Sequence, residues 1–530
     1  MADSGGPVFS QPDTVLLTHD EPPSGIEHIT GNRGFFGHPR GLATLFFTEM
    51  WERFSYYGIR PLLVLYMTAA LGSGGFGFSR PVASAIVGIY AASVYLASLP
   101  GGWVADRWLG LRRAIWTGGV FIALGHLAIA LSAVFSRPTF FLGLILIVIG
   151  TGLLKPNISA LVGDLYPEGG ARRDAGFSVF YMGINAGALI APLITGFLGE
   201  RIGWHWGFGA AGVGMLAGLL TFRSRAASTL GPLGAAPMGS AADQRRARAI
   251  TLGVLALVAV AVVLAMLGVF TIDPLSLANM MKNIILTMAA LCFAYLFLFA
   301  GLDGDERKRI GVVLVLFVFS VVFWSAFEQQ PTSLNLFARD FTDRTLFGWE
   351  VPTAWFQSAE SLCVVLFAPV LGALWVTLGR GGRDLSSPTK FAIGLSLAGL
   401  GFVVMFVASN RVIAGGTAVR VSMLWLVASY FLQGLGELSL SPVGLSSMTK
   451  LAPKRFAGLT MGAWFTSLAL GNLIAGLVGG NVDPEKLTEM PMLFQRTAIS
   501  LFVAAAVLML LVVPIRRMIE STGSGGEHSR

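Results

Sequence analysis

The sequence predicts an all-α integral membrane protein with about fourteen spanning helices. Three observations support this prediction. Of the 530 residues, 54% are hydrophobic and only 12% are charged, which is about half the charged fraction of an average soluble domain. Apolar stretches of about 20 residues, the length that crosses the hydrocarbon of a bilayer, recur along the whole chain. The basic residues concentrate in the short segments between these stretches.

The apolar stretches also predict where the chain crosses the membrane and which way it faces. We place the spans near residues 42–69, 81–105, 113–135, 139–163, 175–199, 205–222, 249–270, 281–301, 310–334, 353–378, 390–408, 421–448, 457–479 and 494–514. If alternate connections share one side, that side holds roughly 23 Lys and Arg residues against roughly 10 on the other. The positive-inside rule then places both termini in the cytoplasm.

The composition between the spans predicts six segments. They are a flexible cytoplasmic tail (1–40), a six-helix bundle (41–223), a cytoplasmic linker rich in Ala, Gly, Ser and Pro (224–248), two inserted helices (249–303), a second six-helix bundle (304–517) and a second flexible cytoplasmic tail (518–530). The inserted helices carry no charged residue except Lys282 near one end, so we expect them to lie at the periphery and face lipid. In such arrangements the binding site lies between the two bundles.

Several classes of function do not fit this composition. The net charge of +8 is spread over short clusters and forms no basic stripe with interleaved aromatics of the kind that binds nucleic acid. Two cysteines, each in an apolar run, provide neither a disulfide framework nor a metal-ligand spacing. The six histidines form no recognisable nucleophilic or metal grouping. We therefore predict no enzyme activity, no metal and no cofactor.

The first span carries six polar side chains on one face of the helix. Measured from the first of them, the others follow at three, four, seven, eight and eleven residues, which places all six within an arc of roughly 140°. A charge in the middle of a spanning helix costs about 2.5–3.5 kcal/mol on insertion scales, so this face cannot meet lipid. The six residues are Glu49, Glu52, Arg53, Tyr56, Tyr57 and Arg60.

Four further charged residues, Lys155, Glu328, Glu360 and Glu437, lie inside later spans. Together with the first span they give five carboxylates against three basic side chains. Desolvation and like-charge repulsion disfavour ionisation of all five in a poorly solvated cavity, so some are candidate proton carriers. The alternative is that these charges only form structural ion pairs. That alternative stays open, above all for Glu360.

Several motifs resemble those of one transporter family. The run EMWERFSYYG, from Glu49 to Gly58, resembles the ExxERFxYYG signature of the proton-dependent oligopeptide transporters, a branch of the major facilitator superfamily. Further matches follow in the family's order: GGWVAD at 101–106, FYMGINAG at 180–187, GELSLSP at 436–442, and a Trp-Phe pair leading to Gly-Asn within 464–472. The resemblance implies the fold of that superfamily, with two six-helix bundles. The two inserted helices agree with the bacterial members.

The resemblance also implies roles for individual residues. It implies a proton-coupling set of Glu49, Glu52, Arg53, Lys155, Glu328 and Glu437, and an outer gate formed by Arg60 and Glu328. Arg53 and Lys155 would hold the carboxylate of a peptide, because charge-assisted hydrogen bonds favour that contact. The peptide amino group would meet Glu437 and Asn185, and the aromatic pocket positions would be Tyr57, Tyr95, Trp324 and Trp464. We interpret Tyr90 and Tyr181 as packing residues.

One position departs from the family pattern. After residues 355–358 the family usually shows an Asn-Pro pair one residue later, whereas this chain has Glu360 and Ser361. The change removes an expected polar contact to substrate and a helix kink. It also adds a negative charge near the end of the site that receives the amino group. We therefore assign Glu360 to the substrate-binding residues as well.

The resemblance implies proton-coupled symport of di- and tripeptides across the bacterial inner membrane into the cytoplasm, by a functional monomer embedded in lipid. Two alternatives remain open. One is a transporter of the same fold for another small anion or zwitterion, such as a peptide-like drug or nitrate. The other is a peptide receptor that does not transport, although the tails and the linker are too short to supply an output module.

Overall fold

The computed structural model describes residues 25–134, 137–380, 385–415 and 419–520, and these residues are mainly helical. Fourteen long helices follow one another along this described part of the chain. They are α1 (Arg40–Thr68), α2 (Arg80–Val104), α3 (Leu111–Leu131), α4 (Arg137–Asp164), α5 (Gly170–Phe197), α6 (Trp204–Leu230), α7 (Ala241–Met266), α8 (Pro274–Leu298), α9 (Gly304–Phe327), α10 (Gln357–Arg380), α11 (Ser387–Gly415), α12 (Leu424–Leu451), α13 (Ala457–Gly479) and α14 (Glu489–Glu520).

Short elements complete the described chain. A helix at Gly25–Thr30 precedes α1, and another at Asn335–Phe341 lies between α9 and α10. A parallel strand pair joins Thr342–Asp343 to Val421–Ser422. An antiparallel pair joins Thr345–Leu346 to Trp349–Glu350.

The helices confirm the predicted class of an all-α membrane protein. Within the described residues, twelve helices are long and apolar enough to cross a membrane. The other two long helices, α1 and α12, have 29 and 28 residues and fall outside this group. They carry Glu49 and Glu437 respectively, and a charged residue lowers the hydropathy of a helix.

Two helix bundles form the core of the fold. In the first, α1 packs on α5 and α6, and α3 packs on α4. In the second, α9 packs on α13 and α14, and α11 packs on α12 and α14. The two bundles meet along two seams, one between α2 and α13 and the other between α5 and α10. Any rearrangement of one bundle against the other therefore changes these two seams.

The helices run further into the predicted linker than the composition indicates. The predicted linker spans 224–248, but α6 continues to Leu230 and α7 begins at Ala241. Residues 231–240 therefore form the non-helical connection. Ser240 and Asp243 cap α7 by exchanging hydrogen bonds with each other's backbone N–H groups. Of the predicted tails, 1–24 and 521–530 lie outside the described residues, while α14 continues to Glu520.

The inserted helices lie at the periphery. In the most apolar 18-residue window of α7 no residue is buried inside the protein, and in that of α8 only 22% are. Helix α8 contacts both α2 and α13, so it lies across one seam between the bundles. A cavity of about 1210 Å³ with a mainly apolar lining separates α7 and α8 from α2, α3 and α4. Many large apolar side chains of α7 and α8 are exposed.

Glycines permit the close approach of α2 and α13 at their seam. A Cβ atom placed on Gly476 would lie 2.6 Å from the Cα of Gly88, and one on Gly88 would lie 2.9 Å from the Cα of Gly476. Small residues at such crossings allow the backbones of two spanning helices to touch. The seam thus depends on the absence of side chains at these two positions.

We predict that Gly476→Ala destabilises the folded protein, because the added methyl group meets backbone and not a flexible side chain. Overpacking of this kind costs about 1–3 kcal/mol. The measurement is the melting temperature of the purified protein in detergent. The matched control is Gly458→Ala on the same helix, where a Cβ meets no atom within 4 Å. Equal melting temperatures for the two variants would contradict the proposed seam.

Candidate functional site

The charged face of α1 lies inside the protein. Glu49, Glu52 and Arg53 are 1%, 1% and 2% exposed. The guanidinium Nε of Arg53 lies 2.5 Å from Glu52 Oε2 and 3.3 Å from Glu49 Oε1. Positions i, i+3 and i+4 share one side of a helix, which brings the three side chains together. We call these three residues the α1 cluster.

The α1 cluster leaves two polar atoms unpaired. Within the described residues, Nη2 of Arg53 and Oε2 of Glu49 are buried without a hydrogen-bond partner. An unpaired buried donor or acceptor carries a desolvation penalty of about 1–3 kcal/mol. A guanidinium nitrogen in this state is a ready donor to an incoming carboxylate.

Lys155 lies near the α1 cluster on α4. Its Nζ is 4.5 Å from the centre of the Tyr95 ring, and the charges of Arg53, Glu52 and Glu49 act on it. Both carboxylates of the cluster pair with Arg53. In the part of the chain that the structure describes, Lys155 forms no ion pair. It is therefore a second positive charge available to an anionic group.

Hydrogen bonds of a neighbouring asparagine hold the backbone around Lys155 in place. Helix α4 continues through Pro156. The Nδ2 atom of Asn157 donates to the carbonyl of Leu153 at 2.6 Å and to that of Gly101, on α2, at 3.3 Å. The bond to Gly101 holds α4 against α2 where the proline ring interrupts the helical hydrogen-bond ladder.

Arg60 and Glu328 form an ion pair between the two bundles. Arg60 ends the charged face of α1, and Glu328 follows the last residue of α9. The Nη2 of Arg60 donates to Oε2 of Glu328, and the two residues are 7% and 5% exposed. The structure thus brings together the two residues that the family resemblance assigns to a gate.

Aromatic rings lie among these charges. The Tyr56 ring contacts two guanidinium groups, and its centre lies 5.0 Å from that of Arg53 and 5.5 Å from that of Arg60. Arg60 also lies 5.9 Å from the Tyr57 ring. Cation–π contacts of this kind favour the charged form of arginine where water is scarce. Tyr57 and Tyr95 therefore lie at the site, as the resemblance implies.

The two tryptophans of the implied pocket are more deeply packed. Trp324 is 4% exposed and Trp464 is 3% exposed. Trp324 packs edge-on against the rings of Phe323 and Phe327. Its indole nitrogen is buried without a partner in the described residues. Trp464 presses its ring against Gly444. Both side chains are therefore buried by packing within the second bundle.

Glu360 on α10 and Glu437 on α12 lie close enough for the charge of one to act on the other. Both residues are half-buried. Ser361 donates from Oγ to Glu360 Oε2 at 3.3 Å. Asn185 is 9% exposed and its Nδ2 donates to the carbonyl of Tyr181 at 2.9 Å. We call Glu360 and Glu437 the carboxyl pair.

Tyr181 lies at the site, although the sequence interpretation assigns it to packing. It is 41% exposed, and the charges of Glu437 and Glu360 act on it. It lies four residues before Asn185, and residues four apart share a helix face. That spacing is the sequence signal that could have placed it at the site. Tyr90 is a packing residue, 3% exposed and stacked on Tyr56.

Further polar contacts, which sequence reasoning missed, join the bundles beyond Arg60. Arg80 donates to Asp340 at 2.6 Å, and Arg339 donates to Thr68 Oγ1 at 2.7 Å. Glu200 accepts hydrogen bonds from the backbone nitrogens of Thr353 and Ala354, both at 2.8 Å. All of these contacts lie at the end of the molecule where α1 finishes. In the sequence, a charged residue at the end of a span looks the same whether it faces water or joins the two bundles, so these contacts could not be predicted.

The site as a whole can bind a zwitterion and carry protons. Two cationic groups, Arg53 and Lys155, are contributed by the first bundle, and the carboxyl pair is contributed by the second. Within the described residues no group of three or more His, Cys, Asp or Glu side chains could hold a metal ion. Separated positive and negative walls suit a small molecule with a carboxylate at one end and an ammonium at the other.

Comparison with known proteins agrees with this arrangement. The model of the POT family matches residues 112–490. A peptide transporter of Yersinia enterocolitica, YePEPT, is 51% identical over 499 residues, which cover 93% of this chain and 97% of that protein. A di-/tripeptide transporter of Lactococcus lactis is 39% identical over 91% of this chain and 97% of its own length. A crystal structure of a peptide transporter, POT, in complex with sulfate superposes with a TM-score of 0.85 at 40% identity, covering 93% of this chain and 99% of the other. This chain belongs to the POT family, the proton-dependent oligopeptide transporters.

Proposed function

We propose that this protein imports di- and tripeptides together with protons by alternating access. The observation that carries the proposal is the division of charge between the two bundles, with Arg53 and Lys155 on one side and the carboxyl pair on the other. The relatives described as peptide and di-/tripeptide transporters support the substrate class. Transporters commonly place their binding site at such an interface between two halves.

Arg53 and Lys155 bind the carboxylate of the peptide. Lys155 has no carboxylate partner within the described residues, and Arg53 has one unpaired nitrogen. A proton taken up by Glu49 or Glu52 weakens the hold of that residue on Arg53. The guanidinium then turns to the peptide carboxylate. Proton uptake and peptide binding therefore favour each other, because a ligand shifts an equilibrium only by its differential affinity for the two states.

The pair between Arg60 and Glu328 holds the bundles together at one end. Protonation of Glu328 removes its negative charge and releases Arg60, which weakens the contact between the bundles. The other contacts at this end, such as Arg80 with Asp340, must also separate when the protein opens there. Because these contacts close this end, we expect access to the site from the opposite side.

We propose that the closed end faces outward and that both termini are cytoplasmic, as the positive-inside rule predicts. The state described is then accessible from the cytoplasm. The protein works as a monomer in the bacterial inner membrane, surrounded by lipid, with protons as its coupling ion and no further cofactor. The exposed apolar faces of α7 and α8 suit contact with lipid.

Neutralising the site should uncouple transport. We predict that Lys155→Gln and Glu437→Gln each abolish the accumulation of a labelled dipeptide in proteoliposomes under an imposed pH gradient, because each removes a charge that the zwitterion needs. The control is Lys486→Gln, which removes an equal charge from a side chain that is 63% exposed. Full-rate, gradient-driven accumulation by both site variants would contradict the mechanism.

Breaking the pair between the bundles should open the closed end. We predict that Glu328→Gln shifts the distance between spin labels at residues 73 and 347 towards longer values, because Arg60 loses its charged partner. Native cysteines at 292 and 363 are replaced first. Acidic pH should lengthen the distance between the labels when Glu328 is present. It should have little effect on that distance in Glu328→Gln.

The control for this experiment is Glu485→Gln. Glu485 is an exposed carboxylate in the connection after α13, and the ion pair of Arg60 is with Glu328 and not with Glu485. Its neutralisation should leave the distance distribution unchanged. A distribution that is the same in Glu328→Gln as in the control, at every pH, would show that the pair does not hold the closed end.

A further inference from the structure

The cavity between the inserted helices and the first bundle takes no part in the proposed transport. Its lining on α7 runs from Ile250 to Met266, which is about 24 Å of helix. The hydrocarbon of a membrane is about 30 Å thick, so the cavity extends through most of that depth. Its volume of about 1210 Å³ also exceeds that of pockets for drug-sized ligands, which is about 300–1,000 Å³.

The lining of the cavity suits hydrocarbon and not water. Among the described residues that form it there is no charged side chain, and most are aliphatic or aromatic. Its few polar groups include the hydroxyls of Ser93 and Thr117. A water molecule fills a cavity only where it finds about two to four polar partners. The acyl chains that surround a membrane protein are apolar molecules of matching length.

One end of the cavity is built from the end of α2 and the start of α7. Arg107 lies in the turn after α2, beside Trp108, which lines the cavity. Its Nη1 lies 3.7 Å from Oδ2 of Asp243 at the start of α7. The backbone N–H of Met238 donates to the carbonyl of Asp106 at 2.8 Å. These contacts hold Arg107 at this end of the cavity.

Two further arginines lie at the same end. Arg246 precedes Ile250 by four residues and Arg113 precedes Thr117 by four, and Ile250 and Thr117 both line the cavity. Residues four apart share a helix face, so each arginine continues a lining stripe beyond the cavity. Both arginines are exposed. Within the described residues neither of them forms an ion pair.

The positive charge is confined to this end. Segments 105–113 and 238–248, which meet there, hold six arginines and two aspartates. At the opposite end the chain neighbours of the lining residues Pro138 and Ile272 are Arg137 and Asp273, whose charges balance. The cavity therefore combines an apolar channel with one basic end.

We infer that the cavity binds a phospholipid with an anionic headgroup, whose acyl chains lie along α7 and whose phosphate meets Arg107, Arg113 and Arg246. Guanidinium groups form strong charge-assisted hydrogen bonds with phosphate. In the orientation proposed above this end faces the cytoplasm, and basic pockets between spanning helices on that side suit anionic headgroups. The site is separate from the peptide site, so the inference goes beyond the proposed function.

The test is native mass spectrometry of the purified, delipidated protein with dioleoyl phosphatidylglycerol or dioleoyl phosphatidylcholine added. We expect the protein to bind the anionic phosphatidylglycerol more tightly. The double variant Arg113→Gln/Arg246→Gln should lower the affinity for phosphatidylglycerol roughly 25-fold, because each basic residue near an anionic headgroup changes the affinity about fivefold. Its affinity for phosphatidylcholine should change little.

The matched control for charge is Arg223→Gln/Arg307→Gln. These two arginines are exposed, on α6 and α9, and lie on the same predicted side of the membrane. Their removal changes the net charge by the same amount and should leave the affinity for phosphatidylglycerol unchanged. A loss of affinity as large as in the double variant at the cavity would show general attraction to a basic protein and overturn the inference.

A second pair of variants tests the apolar part of the site. Ala265 lines the cavity, and Ala265→Phe should displace the tightly bound lipid, whatever its headgroup. Ala259→Phe adds the same ring at an exposed position on the same helix that is not part of the lining, and it should retain the lipid. Retention of the lipid by both variants would show that it does not lie in the cavity.

The unmodified protein decides the matter even if a variant fails to fold. Equal affinities for the two lipids would show that the basic end does not recognise a headgroup, and the inference would be wrong. Peptide transport would stand in that case, because the proposed transport mechanism uses none of these residues.

Discussion

The structure depends on one electrostatic constraint, which is that charges inside a bundle of membrane-spanning helices must find partners within the protein. Lipid offers no solvation for them. Three of the five carboxylates of the site meet two arginines, in the α1 cluster and in the contact between Arg60 and Glu328. The remaining two carboxyl groups meet each other. Lys155 contacts the ring of Tyr95, and the charges that act on it lie at longer range. In the proposed function this imbalance makes the site responsive to protons and to a zwitterion.

In the proposed mechanism the fold converts these local contacts into movement of whole bundles. The bundles touch along two seams, and the glycines at the seam between α2 and α13 let the backbones meet without interlocking side chains. Polar contacts join the bundles at the end where α1 finishes, and among the described ones Arg60 with Glu328 is the most buried ion pair. In the proposed mechanism a proton at Glu328 therefore acts on the interface itself. A proton in the α1 cluster acts, in the same proposal, on peptide binding. The two effects are linked because Arg53 and Arg60 lie on one helix face and share the ring of Tyr56.

Much of the fold could be predicted from sequence because hydropathy and intramembrane charge are strong local signals. The spans match the long helices closely, and the charged face of α1 follows from helical spacing alone. The ends of helices were less predictable: α6 and α7 extend into the expected linker because Ala-rich sequence favours helix as well as a flexible connection. The contact between Arg60 and Glu328 could not be derived from spacing, since 268 residues separate them. It was the family resemblance that implied the contact between these two residues. The exposure of Tyr181 and the meeting of Glu360 with Glu437 required coordinates, because both depend on how α5, α10 and α12 pack.

The central claim is that protons and peptide cross the membrane together, and a measurement of internal pH during peptide uptake tests it most directly. Proteoliposomes that contain the purified protein and a trapped pH-sensitive dye, with no pH gradient imposed, should acidify inside when a dipeptide is added outside. The acidification should stop when the dipeptide has equilibrated. If labelled dipeptide enters at the same rate while the internal pH stays constant, then the buried charges do not couple protons to peptide, and the proposed symport mechanism is wrong.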